Sequence, residues 1–146
     1  VNGGVRLGER QNASLYLLPT VNHNRLFVRA RKLGLGRVAS IYENIFFTTA
    51  DIPLFSAAVL DRLSEADGDF ICPTFAGREG HPVLLRGDTA MRLLADDGDG
   101  GMRRAVERQG INKICVGVAE RGILFDADTP ADFARIEQIY TKDGSR

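Results

Sequence analysis

The stretch Ile45 to Leu54, IFFTTADIPL, decides how this chain is read. Ile45, Phe46 and Phe47 form an apolar run with strand character, the carboxylate of Asp51 follows at its carboxyl end, and Pro53 stops it. Ligands of open α/β sheets bind outside the carboxyl ends of the strands, so Asp51 is expected to face a crevice. Taken alone it is more simply a turn residue bonding its own backbone. A second stretch changes that balance: Gly122 to Pro130 reads GILFDADTP, another apolar run ending in acidic residues. Asp126 and Asp128 flank Ala127, and alternate residues of an extended segment point the same way, so both can face one ligand. Two such segments meeting in one crevice suit Mg²⁺, which keeps few protein ligands and takes the rest of its shell from water and substrate phosphates.

Outward from Asp51 the pattern alternates between strands and helices. Ser56 is placed to cap a helix running to about Ala66, with Val59, Leu60 and Leu63 on one face. Asp67 to Asp69 makes a turn, Phe70 to Thr74 a second strand, Gly77 to Gly80 a loop, and Pro82 to Leu85 a third strand. Helices are expected over Thr89–Ala95 and Met102–Gln109, the second closed by Gly110. Lys113 to Val118 reads as a buried strand and Ile123 to Phe125 as a further short one. The last helix is marked by Thr129 as N-cap, Pro130 at the first helical position and Asp132 at the third, close to a capping box. Its apolar stripe is Phe133, Ile136 and Tyr140, and Asp132 is accordingly structural. Before residue 45 the signals thin out: Leu15 to Leu18 is a strand or buried turn ended by Pro19, and Arg25 to Leu33 is helical with Gly34 as its cap. The alternation is regular from Phe46 onward, as in an α/β chain.

The bulk properties narrow the function. A chain of 146 residues, 44% hydrophobic and 26% charged, is long enough for one domain with a real core. Lys plus Arg equals Asp plus Glu at 19 each, so no net field favours nucleic acid or an anionic membrane. No apolar run approaches a membrane span and no leader precedes the first strand, so a cytoplasmic protein is expected. Val1 in place of a methionine points to a fragment or a processed product. Cys72 and Cys115 sit in apolar runs with no Cys or His near them at metal-ligand spacing, and read as buried thiols.

Three other places offer chemistry. Gly80, His81 and Pro82 combine a glycine that lets backbone approach a ligand, an imidazole titrating near neutral pH and a strand start; the competing reading is a turn histidine before an edge strand. Gly98 to Arg104, GDGGMRR, puts glycines ahead of a helix whose free N–H groups attract anions, although an ordinary break with Asp99 as N-cap explains it as well. His23 reads as a surface loop residue. Gly34, Gly36 and Ser40 lack the context of a dinucleotide fingerprint, and neither a Walker loop nor a serine-hydrolase elbow is present.

In order along the chain, TTADIPLF, GREGHPVLL, GDGGMRRAV and GILFDADTPADF resemble the MobA-like nucleotidyltransferases that attach CMP or GMP to molybdopterin. The resemblance spans about residues 45–139, and GHPVLL with DADTP is closer to the cytidylyltransferase branch; a sugar nucleotidyltransferase fits this pattern less well. It implies a Rossmann-like three-layer α/β/α sandwich of the GT-A type with a mostly parallel sheet, and with it Mg²⁺, an NTP (CTP or GTP, CTP favoured), a phosphorylated small-molecule acceptor and release of pyrophosphate. By the same resemblance Asp51 is the metal-binding and catalytic aspartate, Asp126 or Asp128 the second acidic ligand, and Gly80, His81 and Pro82 the loop facing the acceptor. Relatives open with a strand and a glycine-rich loop, LAAGxSxRMG, followed by a lysine. Here residues 1–44 carry only Gly3, Gly4, Arg6, Leu7 and Gly8 of that nucleotide-binding loop, without its serine and lysine. That departure leaves a second reading, a family member that binds nucleotide or a partner protein without turnover.

Overall fold

The computed structural model describes residues 5–10, 13–17, 34–96 and 101–143. Strands β1 (Val5–Arg10) and β2 (Ala13–Leu17) form an antiparallel hairpin. The helical residues 34–38, α1, lead into β3 (Asn44–Phe47), α2 (Ala57–Ser64), β4 (Phe70–Phe75), β5 (Arg78–Glu79) and β6 (Val83–Arg86). Helices α3 (Gly87–Ala95) and α4 (Gly101–Arg108), strand β7 (Lys113–Gly117) and helix α5 (Pro130–Asp143) complete the order.

The main sheet is open and mixed. β4 is its centre: β7 runs parallel along one edge, from Phe70↔Lys113 to Thr74↔Gly117. On the other edge β6 pairs antiparallel at Phe70↔Leu85 and Ile71↔Leu84, and β5 at Thr74↔Glu79 and Phe75↔Arg78. β5 and β6 therefore form one edge-to-edge path interrupted at Gly80–Pro82. β3 closes the path by pairing antiparallel with β6, from Asn44↔Arg86 to Phe47↔Val83. Thus β3, β4 and β7 point one way and β5 and β6 the other, which brings the carboxyl ends of β3, β4 and β7 to one rim of the sheet.

Side chains alternate across this sheet and build a core on each face. Ile45, Phe70, Cys72, Val83 and Leu85 pack with Leu35, Val38, Ala90, Leu93, Ala105 and Val106 from the helices on one side. Ile71 and Leu84 pack with Val59, Leu63 and Ile123 on the other. Helices on both faces make the three-layer α/β/α arrangement expected from the sequence. Leu63, Leu85 and Ile123 are fully buried, and cutting any of them to alanine is worth about 2–5 kcal/mol.

Local signals explain most element ends. Ser56 caps α2, its hydroxyl accepting from the Ala58 amide at 3.1 Å, and the Glu120 carboxylate in turn accepts from the Ser56 amide at 2.9 Å and from its hydroxyl. Thr129 and Asp132 form the expected capping box on α5, with the Asp132 amide donating to the Thr129 hydroxyl at 3.2 Å and the Thr129 amide donating to the Asp132 carboxylate at 3.0 Å. α3 and α4 are joined by the buried Asp96 carboxylate, which accepts from Arg108 at 2.6 Å and from the Gln109 amide nitrogen at 3.2 Å.

Several expectations need correction. β3 ends at Phe47, so Thr48–Ile52 is a turn and not the continuation of a strand. Residues 121–124 form a 3₁₀ turn in place of a strand over Ile123–Phe125, because Gly122 lies against the Leu54 carbonyl, where any Cβ would overlap it. Pro82 precedes β6 and does not start it. Gly34 lies within helical residues and caps no helix there, while the helix expected over 25–33 falls outside the described residues. Of the stripe expected on α5, Phe133 is 65% exposed and Ile136 only half-buried. Cys115 is exposed, and it lies beside Cys72 although 43 residues separate them in the chain.

Candidate functional site

A cleft of about 320 Å³ opens at the rim where β3 and β4 end, lined by Thr49, Asp51, Ile52, Arg78, Glu79, Gly80, His81, Ile123, Leu124 and Asp126. Three loops meet there: the turn after β3, the break between β5 and β6, and the segment after the 3₁₀ turn.

Backbone hydrogen bonds fix these loops to one another. The His81 amide donates to the Ile123 carbonyl at 3.0 Å, and the Gly80 amide to the Pro73 carbonyl at 2.9 Å. A Cβ on residue 80 would overlap the Ile123 carbonyl oxygen, so only glycine lets the two loops approach this closely. The Ala127 amide donates to the Asp51 carbonyl at 2.8 Å, which sets the acidic segment beside Asp51. Phe125, just ahead of that segment, has the guanidinium groups of Arg121 and Arg135 at 5.3 and 5.4 Å from its ring centre, a cation–π anchor.

Two polar atoms in this cleft are buried without a partner among the described residues: Asp51 Oδ1 and His81 Nδ1. Buried carboxylate oxygens are normally hydrogen-bonded, and one left bare at a crevice marks a place for a cation or a donor. Burial pulls the His81 imidazole below its usual range, while a hydrogen bond to the Phe47 backbone and the charges of Asp51 and Asp126 pull the other way. The net lowering favours the neutral ring, in which an N–H directed to the Phe47 backbone leaves Nδ1 as an acceptor. Desolvation, then the charges of Asp51 and Asp128, raise the carboxyl of Asp126, against smaller opposing effects of His81 and Arg78. The repulsion among these carboxylates is what a divalent cation relieves.

The cleft brings Asp51, Gly80, His81 and Asp126 together, and Pro82 follows them buried behind the loop. Asp128 acts on Asp126 through its charge but does not line the cleft. Among the described residues the three aspartates do not form a mutual ligand cluster of the kind that holds a cation by protein atoms alone. One or two carboxylates suffice for Mg²⁺ that also binds phosphates, so Asp51 with Asp126 fits such an ion. Arg78 was not singled out from the sequence; its position one residue beyond the β4–β5 turn carries it to the rim of the cleft. Arg6 and Gly8 lie on the extended strand β1, a different backbone from a phosphate-cradling loop, and Gly3 and Gly4 fall outside the described residues. Of the glycines before α4, Gly101 opens the helix and Gly98 and Gly100 lie outside the described residues, while Arg103 is paired with Glu107 at 3.6 Å.

Residues 25–113 match the MobA-like NTP transferase domain. The chain is 28% identical over 101 residues to the molybdenum cofactor cytidylyltransferase of Escherichia coli, covering 68% of this chain and 52% of that protein. It therefore spans about half the length of this curated relative. Two solved structures share the fold: the Mycobacterium tuberculosis Rv0371c homologue from Mycobacterium sp. strain JC1 at TM-score 0.65, and Rv0371c of M. tuberculosis H37Rv, crystallised in complex with manganese, at 0.61. Both are 22% identical, and this chain covers 58% of each. No described helix is long and apolar enough to cross a membrane.

Proposed function

Because this chain belongs to the MobA-like NTP transferase domain family, we propose that its cleft binds a nucleoside triphosphate with a divalent cation and transfers the nucleoside monophosphate to a phosphorylated acceptor. The observation that carries this reading is the bare, buried Oδ1 of Asp51 beside a second carboxylate, Asp126, whose ionised form is destabilised by desolvation and then by its neighbours' charge.

In the reaction an acceptor phosphate oxygen attacks the α-phosphorus, the bond to the β-phosphate oxygen breaks, and pyrophosphate leaves. Asp51 and Asp126 would hold the cation, Mg²⁺ in the proposal, which supplies neutralisation of the charge on the phosphate oxygens. Gly80 keeps its loop close to Ile123 and so shapes the acceptor side. His81 presents an unprotonated Nδ1 that accepts a hydrogen bond from a hydroxyl or N–H of the acceptor. Arg78, exposed at the rim, adds positive charge on the path of two anionic substrates. An acceptor phosphate is already ionised at neutral pH, so no general base is needed and catalysis rests on position and electrostatics.

CTP is proposed ahead of GTP, and a molybdopterin-type acceptor ahead of a sugar phosphate, on the likeness of GHPVLL and DADTP to the cytidylyltransferase branch and on the relative from E. coli. The test is pyrophosphate release from each of the four NTPs with Mg²⁺ and acceptor. The reading requires release with CTP above the other NTPs. Thermal stabilisation by nucleotide without pyrophosphate would instead favour a member that binds without turnover.

A further inference from the structure

The register of the sheet gathers a second set of ligand-type side chains at its β7 edge. Cys72 and Cys115 are direct partners across the parallel pair β4–β7, and their sulfurs are 3.4 Å apart. Direct partners project to the same face, so both thiols stand on one side of the sheet. Glu79, opposite Thr74 on β5, projects to that face too, and so does Lys113, opposite Phe70. Lys113 Nζ meets Glu79 Oε1 at 2.5 Å, so their ion pair spans the row occupied by the two thiols. One ligand atom each from Cys72, Cys115 and Glu79 lies within 4.8 Å of the others, the one such group among the described residues.

We propose that Cys72, Cys115 and Glu79 form a binding site for a thiophilic divalent cation of the Zn²⁺ type, distinct from the carboxylate site at Asp51. Geometry favours a cation over a bond between the sulfurs. Two thiolates on a tetrahedral zinc at about 2.3 Å each stand about 3.8 Å apart. The observed 3.4 Å is nearer to that than to a disulfide at about 2.05 Å. Charge favours it as well: two thiolates and a carboxylate around a divalent ion leave one negative charge, and Lys113 is already there to balance it. Access is open, because Cys115 and Glu79 are exposed and Gly117, on the same face of β7, carries no side chain. Cys72 is buried, and its thiol is pushed up to about 12 chiefly by that burial and by the Cys115 thiol. A coordinated thiol gives up its proton outright, so uptake releases the proton that burial otherwise keeps on Cys72. Glu79 immediately precedes Gly80, and a cation there ties β5 to the β4–β7 edge and steadies the loop that lines the cleft.

The test uses the reduced protein and Cd²⁺ as a spectroscopic stand-in for Zn²⁺. The expected result is a thiolate-to-cadmium charge-transfer band saturating at one ion per chain, displaced by Zn²⁺ and untouched by excess Mg²⁺. Cys115→Ser, at an exposed position, loses the band, and Lys113→Gln weakens Zn²⁺ binding by about 10- to 100-fold as loss of an outer partner does. Asp51→Asn leaves the band unchanged, which keeps this site separate from the proposed nucleotide site. Absence of the band in the reduced protein, or its persistence in Cys115→Ser, overturns the proposal.

Discussion

The carbonyl of Asp51 accepts a hydrogen bond from the amide of Ala127 at 2.8 Å. This bond links two segments 76 residues apart in the chain and puts Asp126 within electrostatic reach of Asp51, whose Oδ1 is buried without a partner. The cation reading follows from that juxtaposition. An Asp51→Asn variant is expected to keep its fold and a stability within about 1 kcal/mol of wild type, since it removes a repulsive charge, while turnover falls by at least about 100-fold. Urea unfolding and pyrophosphate release measured on one preparation separate the two effects.

The glycines at the loop junctions give a graded series. Gly80→Ala would drive a methyl into the Ile123 carbonyl and Gly122→Ala into that of Leu54, whereas Gly117 faces open space. The first two are expected to cost about 2 kcal/mol or more, and Gly117→Ala to stay within about 0.5 kcal/mol of wild type. Chemical denaturation midpoints check the order. Gly80→Ala should also reduce turnover beyond its loss of stability, because its loop lines the cleft.

Acidification should weaken the fold through His81. Its folded value lies below the ordinary 6.5, so the unfolded chain takes up the proton first as pH falls. Stability is complete above 6.5 and is lost as pH drops from there toward the folded value. Asp126 acts in the opposite sense: raised above 3.8, it makes the ionised form costly in the fold, so its contribution is present at low pH and fades as pH rises through its folded value. Urea midpoints across this range should fall below 6.5 in wild type and fall less in His81→Gln.

The capping groups are expected to act on stability alone. Ser56→Ala removes both the acceptor for the Ala58 amide and a partner of Glu120, and should cost about 1 kcal/mol. Asp132→Ala breaks the box with Thr129 at a similar cost. Thermal unfolding shows both, with the specific activity of the folded fraction unchanged.

Much of this was legible in the sequence because it is local. The Ser56 and Thr129 caps, the apolar face of α2 and the strand at Phe70 each depend on neighbours a few residues away. Asp51, His81 and Asp126 were legible as candidates through the order of their motifs. What escaped depended on distant partners. Ile123 reads as strand by composition, but Gly122 is pressed against Leu54 and the chain turns there instead. Cys115 reads as a core thiol, yet it is exposed on β7, and only the β4–β7 register brings it to Cys72. Arg78 reaches the cleft because of a hairpin turn in which Ala76 and Gly77 both take positive φ, 49° and 76°. Alternation of apolar and polar residues carries no information about that turn's direction.

The central claim, that Asp51 and Asp126 jointly hold the divalent cation that accompanies the nucleotide, is tested most directly by Mn²⁺ binding followed by electron paramagnetic resonance in the presence of CTP. The account predicts one bound ion in wild type and in Asp128→Asn, and loss of that ion in both Asp51→Asn and Asp126→Asn. Retention of the bound ion in the two latter variants would contradict it.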